Sequence, residues 1–217
     1  MLQKVLFVIA LFSSVGFADS CGVSITRLKY SGGGDWYNDQ TSLPNLIKAI
    51  KERTRINICP EEKKIELTDP ALYSNPILYM TGHGNIRFTE TEVTRLREFL
   101  LNGGFLHADD CYGMDESFRR EMKRVFPELS FVEIPFSHKI YHSFYNFPSG
   151  LPKIHKHNGG PAQGLGLFNK GRLMVFYSFN TDLGDGWEDL EVHEDPLEKH
   201  EEALRMGINI ITYILSE

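Results

Sequence analysis

The sequence predicts an α/β fold built around a mainly parallel sheet, and three observations lead to that prediction. Two short apolar runs, residues 77–80 and 105–108, are typical of strands that are buried on both faces. Between them, residues 89–100 carry a capping box and an amphipathic pattern, which gives a strand–helix–strand unit with a right-handed crossover. Each apolar run opens into a glycine-punctuated polar segment, as expected at the carboxyl edge of such a sheet.

The remaining elements follow from local patterns along the chain. Residues 23–30 alternate polar and apolar side chains, as expected for a first strand. Thr41 or Ser42 can cap a helix that has Pro44 in its first turn. A hairpin is predicted around residues 169–171, because a polar, glycine-containing turn separates two apolar runs there. The other predicted elements are a helix over 117–125, a fourth core strand over 131–134, hairpin strands over 165–168 and 172–178, and a long helix over 196–215.

Length and composition set broad limits. The chain has 217 residues, of which 41% are hydrophobic and 24% charged, and this suits one globular domain, which we place at residues 19–217. The net charge of -6 and the pI near 5.8 argue against a nucleic-acid partner, and no dense Lys/Arg stripe stands out. Composition therefore excludes one class of partner and selects no other.

Residues 1–18 have the pattern of a secretory signal peptide. A lysine supplies a positive start, residues 5–15 are almost continuously apolar, and Gly16 and Ala18 place small residues at the cleavage-determining positions. The apolar run is shorter than the about 20 residues of a membrane-spanning helix, which disfavours an uncleaved anchor. We therefore predict an exported protein, periplasmic or secreted, with no membrane span after signal removal and a mature chain that begins near Asp19.

Export also changes the expected state of the three cysteines, because an oxidising compartment lets thiols pair. Cys21 and Cys59 flank the first strand–helix unit and can form a bridge, which leaves Cys111 free. Three unpaired thiols are the alternative, and the sequence does not choose between the two.

The segment 102–115 holds the strongest functional signal. It places Asp109, Asp110 and Cys111 at the carboxyl end of a predicted strand, where ligands and catalytic groups gather in open α/β sheets. The positive amino end of the next helix favours a thiolate, whereas the two carboxylates disfavour it by like-charge repulsion. We predict a functional turn here, with Cys111 as a candidate nucleophile.

Two other strand ends carry the same signature. After the first strand, Gly33 and Gly34 permit a tight loop that presents Asp35 and Trp36 at the same edge. The spacing matches neither a Walker sequence nor a dinucleotide fingerprint, so no phosphate site is assigned. At the end of the next buried strand, His83 stands between two glycines, either as a catalytic or ligand-binding group or as a turn histidine bonded to the backbone.

Histidines and acids in the second half of the chain are weighed as metal ligands. His138 and His142 have the spacing of ligands on one helix face, but Pro135 and the aromatic neighbours disfavour a helix, so pocket-lining roles are preferred. Asp182 and Asp185 follow a late strand, yet their spacing falls short of an EF-hand loop. No metal ligand and no cofactor are therefore assigned, and Asp185 is retained as a candidate ligand-binding residue.

Several of these strings, in this order along the chain, resemble an uncharacterised bacterial family known as domain of unknown function 4159 (DUF4159). They are the opening at residues 29–36, the strand ends at 78–84 and 103–113, the histidine segment at 138–142 and the segment at 182–187. That family is similar to the class I glutamine amidotransferase-like superfamily, including its trehalose-utilisation-type members. The resemblance implies a flavodoxin-like three-layer α/β/α sandwich.

In amidotransferases of that superfamily, a cysteine lies on a sharp turn after a central strand, and a histidine and a glutamate follow later in the chain. Cys111 matches this position approximately, but its neighbours lack the glycine-x-cysteine-x-glycine pattern and no recognisable His-x-Glu pair comes directly after a late strand. The resemblance therefore supports the fold and does not extend to glutamine hydrolysis.

Two functional hypotheses follow. In the first, the protein is an exported hydrolase-like enzyme for a small polar or carbohydrate-like substrate, and Asp109, Asp110 and His83 supply acid, base or metal-binding groups. His138 is then a partner base and Cys111 a nucleophile. In the second, the protein is a noncatalytic periplasmic module that binds a ligand or partner through aromatic and imidazole side chains at the rim. The rim residues are Trp36, Tyr112, His142 and Trp187, and the candidate ligand-binding residues are Gly33, Gly34, Asp35, Trp36, Asp109, Tyr112, His142 and Asp185.

Overall fold

The computed structural model describes residues 21–155 and 159–217, which form an α/β fold with a seven-stranded, mostly parallel sheet and six helices. The strands are β1 (Ile25–Lys29), β2 (Lys63–Glu66), β3 (Ile77–Met80), β4 (Phe105–Asp109), β5 (Val132–Glu133), β6 (Gln163–Asn169) and β7 (Arg172–Phe179). The helices are α1 (Ser42–Arg53), α2 (Glu90–Leu101), α3 (Asp115–Val125), α4 (Leu183–Trp187), α5 (Leu190–His193) and α6 (Leu197–Ser216). The predicted signal peptide at residues 1–18 lies outside the described residues.

The order of strands in the sheet is β2-β1-β3-β4-β7-β6-β5. The first five strands in this order run parallel to their neighbours, and β6 and β5 add antiparallel at one edge. β3 and β4 bury every side chain, as predicted from their continuous apolar runs. Because parallel strands end at the same edge, the loops after β1, β3, β4 and β7 lie side by side.

Helices cover both faces of the sheet, and each face has its own apolar core. Ile77 and Tyr79 of β3 pack on the side of α1, α4 and α6, whereas Leu78 and Met80 pack on the side of α2 and α3. This burial on both faces fixes the register, because a slip by one residue would exchange the two sets of side chains.

Local signals set the bounds of the helix that leads into the central strand. Thr89 and Glu92 form the predicted capping box, in which the Thr89 hydroxyl accepts from the backbone N–H of Glu92 at 3.3 Å. Beyond the helix, Gly103 has a φ of +105°, a conformation that favours glycine. The chain then enters β4, whose last residue is Asp109.

The prediction of a fourth core strand over residues 131–134 is wrong. Only the two residues of β5 belong to a strand there, both are exposed, and they pair antiparallel with β6. The core position beside β4 belongs to β7. β7 suits the sheet interior better because six consecutive residues in it are buried, whereas Val132 and Glu133 leave both faces of β5 open to solvent.

The predicted hairpin of β6 and β7 is confirmed. Lys170 and Gly171 form its turn with φ values of +49° and +84°. Positive φ at both central residues is the turn conformation that matches the twist of hairpin strands.

Cys21 and Cys59 form a disulfide with a Cα–Cα distance of 4.9 Å, which is the first of the two alternatives that the sequence left open. Cys111 is then a free, buried cysteine. Within the described ranges, no helix has the length and apolar character needed to cross a membrane.

Candidate functional site

The loops after β1 and β3 contact each other through their backbones. Gly34 N donates to Asn85 O at 2.9 Å, and Asp35 N donates to His83 O at 3.2 Å. A Cβ at position 34 would lie 2.7 Å from His83 O, so this close approach requires glycine. Gly33 is exposed and has a φ of +99°. The glycine loop therefore places Asp35 beside His83.

Asp35, His83 and Cys111 form a chain of polar contacts at this edge of the sheet. The Asp35 carboxylate accepts from the backbone N–H of His83 through Oδ1, and its Oδ2 lies 3.1 Å from the ring Nδ1. Because a carboxylate only accepts, Nδ1 carries the proton of the neutral ring, and the lone pair of Nε2 is left for Cys111 Sγ at 3.5 Å. Carboxylate, imidazole and thiol thus have the order of a nucleophile with an oriented base.

A sharp turn after β4 holds the thiol in place. Cys111 is 1% exposed, and the next residues, Tyr112 and Gly113, have φ values of +59° and +100°. A positive φ is uncommon for tyrosine and marks a turn that its surroundings enforce. Asn38 donates its side-chain N–H to Cys111 Sγ at 3.3 Å, which gives the sulfur a second polar contact.

Buried carboxylates also approach the thiol. The Cys111 S–H donates to Asp185 Oδ1 at 3.2 Å, and Asp39 lies close to both residues. Burial, together with the charges of Asp39 and Asp185, raises the pKa of the Cys111 thiol far above its ordinary value. Burial is the largest cause, and nearby carboxylates add to it, as the predicted like-charge repulsion requires. The main acids are Asp39 and Asp185, whereas the predicted Asp109 contributes less.

The acids meet where β4, α4 and the loop before α1 converge. Burial, together with the charges of Asp185 and Asp109, raises the pKa of Asp39 to about 9. Burial likewise raises the pKa of Asp182 to about 9 and that of Asp109 to about 7. Asp109 accepts from Gly184 N at 2.6 Å, which ties the start of α4 to the end of β4.

Two histidines join these acids. His155 Nδ1 lies 2.9 Å from Asp185 Oδ2, and its Nε2 lies 3.0 Å from Asp195 Oδ1. The hydrogen bond to Asp185 is the main cause that raises the pKa of His155 to about 9, so that the ring is an imidazolium at neutral pH. His193 Nε2 lies 3.8 Å from Asp185 Oδ1 and 4.0 Å from Glu188 Oε2.

Three overlapping sets of donor atoms in this region each lie within 4.8 Å of one another. The sets are His155, Asp185 and His193; Asp39, Cys111 and Asp185; and Asp39, Glu188 and His193. The sequence interpretation assigned no metal ligands and missed Asp39, Glu188 and His193, because they lie outside the strand-end motifs. The position of Asp39 shortly after the glycine loop was the signal that the sequence offered.

The acids at 109 and 110 do not pair with His83, contrary to the sequence-based expectation of shared acid/base work. Asp109 is fully buried and holds α4. Asp110 is also buried and lies near α3. Burial and the charge of Asp115 raise the pKa of Asp110 to about 6. The acid that contacts His83 is Asp35.

His138 and His142 lie away from this site, so the role of His138 as partner base is corrected. His138 packs against the rings of Phe168 and Tyr213. His142 is exposed and bonds its own loop, with Nε2 2.7 Å from Phe136 O. The physical reason is topological, because both histidines follow β5, which forms the edge of the sheet beyond β7 and β6.

Aromatic side chains flank the glycine loop and the cysteine turn. Tyr37 is 58% and Tyr112 is 51% exposed, and Trp36 packs edge-on against Tyr37. Trp187 is not part of this rim, because it is fully buried and its Nε1 donates to Ala203 O at 2.7 Å. The predicted contact role of Trp187 is therefore wrong, since α4 turns the ring into the core below α6.

A family model described as domain of unknown function (DUF4159) matches residues 24–215, which is most of the 217-residue chain. The chain belongs to the DUF4159 family. The predicted family resemblance is thereby confirmed. Among curated proteins, none matches the sequence. The DUF4159 region includes Asp35, His83 and Cys111 together with the buried acids and histidines around them, so the whole candidate site lies within it.

Proposed function

We propose that this DUF4159 protein is a hydrolase-like enzyme in which Cys111 is the nucleophile, His83 the general base and Asp35 the residue that orients the imidazole. The observation that carries the proposal is the continuous chain of contacts from Asp35 through His83 to Cys111 Sγ. General-base assistance of this kind contributes typically about 10²–10⁴-fold to a rate. The proposed substrate class is a small polar or carbohydrate-like acyl compound.

In the proposed reaction, the Cys111 S–H turns from Asp185 Oδ1 to His83 Nε2 when the substrate binds. Sγ then attacks the carbonyl carbon of the substrate while the S–H proton moves to His83 Nε2. The new S–C bond forms, the bond to the leaving group breaks, and His83 returns the proton to the leaving nitrogen or oxygen. A water molecule then loses a proton to His83 and attacks the thioester carbonyl. The S–C bond breaks, the acid is released, and His83 returns the proton to Cys111 Sγ, which restores the thiol. Asp35 stabilises the imidazolium that forms in each step.

The surroundings of the thiol support a small polar substrate. The His83 side chain is partly exposed, so the proposed approach to Cys111 is from the imidazole side. Asn38 supplies an amide next to the sulfur, and the exposed rings of Tyr37 and Tyr112 offer flat surfaces of the kind that suit sugars.

A substrate panel with three variants tests this proposal. Chromogenic esters, amides and thioesters of small polar acids are offered to the protein, and the acyl-enzyme is sought by intact-protein mass spectrometry. We expect Cys111→Ala to abolish turnover and His83→Ala to lower kcat by about 10²-fold or more. His142→Ala is the matched control, because His142 bonds only its own loop in the described contacts. Full turnover by Cys111→Ala would overturn the proposal.

A noncatalytic ligand-binding module is the second candidate function. The observation that favours it is the exposure of Tyr37 and Tyr112 beside a thiol that is itself almost completely buried. Oligosaccharide binding that disappears in Tyr112→Ala, together with no turnover of any panel substrate, would favour this module over the enzyme.

The strand order β2-β1-β3-β4-β7 supports a finer proposal for the fold, namely a flavodoxin-like three-layer sandwich similar to the class I glutamine amidotransferase-like superfamily.

The disulfide between Cys21 and Cys59 supports the proposal that residues 1–18 direct export to the periplasm or the medium, since such bonds persist in oxidising compartments. Cell fractionation and sequencing of the mature amino terminus test export. A cytoplasmic chain that keeps residues 1–18 would contradict it.

A further inference from the structure

We propose that one divalent transition-metal ion binds next to the proposed catalytic chain, in a site that the catalytic proposal does not require. Its ligands are Asp39, Asp185, Glu188 and His193, which we call the acid–imidazole cluster. Asp39 precedes α1, Asp185 lies in α4, Glu188 directly follows α4 and His193 ends α5. The packing of short helices at the carboxyl edge of the sheet therefore assembles the cluster.

The distances from His193 to the carboxylates of the cluster suit a shared ion better than hydrogen bonds. His193 Nε2 lies 3.8 Å from Asp185 Oδ1 and 4.0 Å from Glu188 Oε2, both beyond hydrogen-bond length. Asp39 completes a set with Glu188 and His193 in which all donor atoms lie within 4.8 Å. Two ligands that each lie about 2.0–2.2 Å from an ion are themselves roughly 3–4 Å apart, so an ion fits between them.

Burial makes it costly to ionise all three carboxylates of the cluster without a cation. Asp39, Asp185 and Glu188 are 4%, 5% and 7% exposed. Glu188 already uses Oε1 to accept from Thr41 N at 2.8 Å, which leaves Oε2 on the side of His193. A divalent ion bound to these oxygens would supply the positive charge that buried carboxylates need.

The imidazolium of His155 does not supply the positive charge that Asp39 and Glu188 need. It is shared between Asp185 and Asp195, which lie at its two ring nitrogens. Its charge is therefore matched by those two carboxylates, and Asp39 and Glu188 bond to neither of its nitrogens in the described contacts.

The Tyr79 hydroxyl gives an independent indication of a ligand at this place. Tyr79 is 1% exposed, and its hydroxyl forms no hydrogen bond by distance and angle within the described part of the chain. A Cβ on Gly184 would lie 2.5 Å from this hydroxyl and 2.7 Å from Asp39 Oδ2. The hydroxyl and Asp39 Oδ2, which already accepts from Thr81 Oγ1 at 3.4 Å, thus both lie next to Gly184 at the edge of the cluster, and water bound to a metal ion would give the hydroxyl a partner.

The chemistry of the donors selects the class of ion. One imidazole nitrogen and several carboxylate oxygens suit Zn²⁺ or Mn²⁺, whereas Ca²⁺ and Mg²⁺ prefer oxygen ligands alone. The His193 side chain is partly exposed and marks the route by which the ion enters.

Calorimetric titration of the chelator-treated protein with ZnCl₂ and with MnCl₂ tests the proposal. We expect one ion per chain and an affinity that falls about 10-fold or more in His193→Ala and in Asp39→Asn. His193→Ala is the decisive variant, because its side chain is partly exposed and the core does not depend on it. Circular dichroism confirms that each variant is folded.

Two control variants make the outcome specific. His142→Ala removes an exposed histidine outside the cluster and should bind the ion normally. Cys111→Ser should also bind normally, which separates the metal site from the thiol and from the fate of the catalytic proposal. No stoichiometric binding, binding that is unchanged in both His193→Ala and Asp39→Asn, or binding lost only in Cys111→Ser would overturn the inference.

Discussion

His83 Nδ1 lies 3.1 Å from Asp35 Oδ2, although the two residues are 48 positions apart in the chain. They meet because they follow β1 and β3, which are neighbours in the sheet, and because Gly34 lets the two loops touch through their backbones. The imidazole is therefore oriented by the fold before a substrate arrives.

Asp35→Asn should lower turnover without a comparable loss of stability. The amide can turn its N–H toward Nδ1 and so favour the wrong tautomer, which removes the lone pair that faces Cys111. We expect kcat to fall by about 10²-fold or more, with little change in Tm because Asp35 is partly exposed. Asp189→Asn, at another partly exposed aspartate, is the control. An unchanged kcat in Asp35→Asn would remove Asp35 from the catalytic chain.

The parallel half of the sheet could be predicted from the sequence because its strands are apolar on both faces. Residues 77–80 and 105–108 are apolar except for His107, so the interior of a sheet covered on both faces is the environment that suits them. The segment between them begins with a capping box, which indicates a helix. Residues 131–134 show the limit of this reasoning. Their apolar side chains do not reveal that β7, which is longer and closes a hairpin with β6, occupies the position beside β4.

The candidate site could be predicted only in part, for a related reason. The strand-end rule identified Asp35, His83 and Cys111 one at a time, but their pairing depends on the order of β1, β3 and β4 in the sheet. For Asp39 the only local signal is its position shortly after the glycine loop, and His193 has none, since helix packing brings the two together. For the same reason His138 was chosen wrongly, as its segment ends beyond the antiparallel edge.

The Cys111 thiol should react slowly with alkylating agents. Burial and the carboxylates of Asp39 and Asp185 raise its pKa, and only the thiolate is strongly nucleophilic without a base. We expect iodoacetamide to modify the metal-free protein more slowly than free cysteine, and Asp185→Asn to increase the rate. Peptide mass spectrometry locates the label on Cys111, and Asp189→Asn is again the control. A rate above that of free cysteine would contradict this account of the thiol.

The metal-free protein should lose stability as the pH rises above neutrality. The pKa values of Asp109 and Asp39 are raised from 3.8 to about 7 and about 9, so the folded state holds these protons more tightly than the unfolded state. Their contribution is complete below 3.8 and is lost as the pH rises through about 7 and about 9. His107 acts in the opposite sense, because burial lowers its pKa from 6.5 to about 3 and its contribution is lost on acidification.

Urea unfolding at about pH 6 and about pH 9 measures this dependence, and the free energy of unfolding should be lower at the alkaline value. Asp109→Asn should flatten part of the profile, since an amide does not titrate. If the metal site exists, saturating Zn²⁺ should also reduce the alkaline loss. A free energy of unfolding that rises from neutral to alkaline pH would show that these carboxyls are not protonated in the folded protein.

Removal of the disulfide should destabilise the protein and leave the site intact. The bridge closes a sequence separation of 38 residues, for which loop entropy gives up to about 4 kcal/mol of stabilisation. It lies at the amino end of β1, opposite the edge that carries His83 and Cys111. We expect the double variant Cys21→Ser/Cys59→Ser to unfold at lower urea concentration, with kcat and Zn²⁺ affinity unchanged at a temperature where it is folded. Equal urea midpoints for the two proteins would contradict this role.

Gly184→Ala should damage both the fold and the acid–imidazole cluster. An added Cβ would lie 2.5 Å from the Tyr79 hydroxyl and 2.7 Å from Asp39 Oδ2, and these atoms belong to buried side chains that have little room to move. Overpacking of this kind costs about 1–3 kcal/mol. We expect a lower free energy of unfolding and weaker Zn²⁺ binding in the folded fraction. Gly159→Ala is the matched control, because a Cβ there would meet no atom of residues 21–155 and 159–217 within 4 Å. Equal stability and equal Zn²⁺ affinity in the two variants would show that the space around Gly184 is not confined as the structure describes.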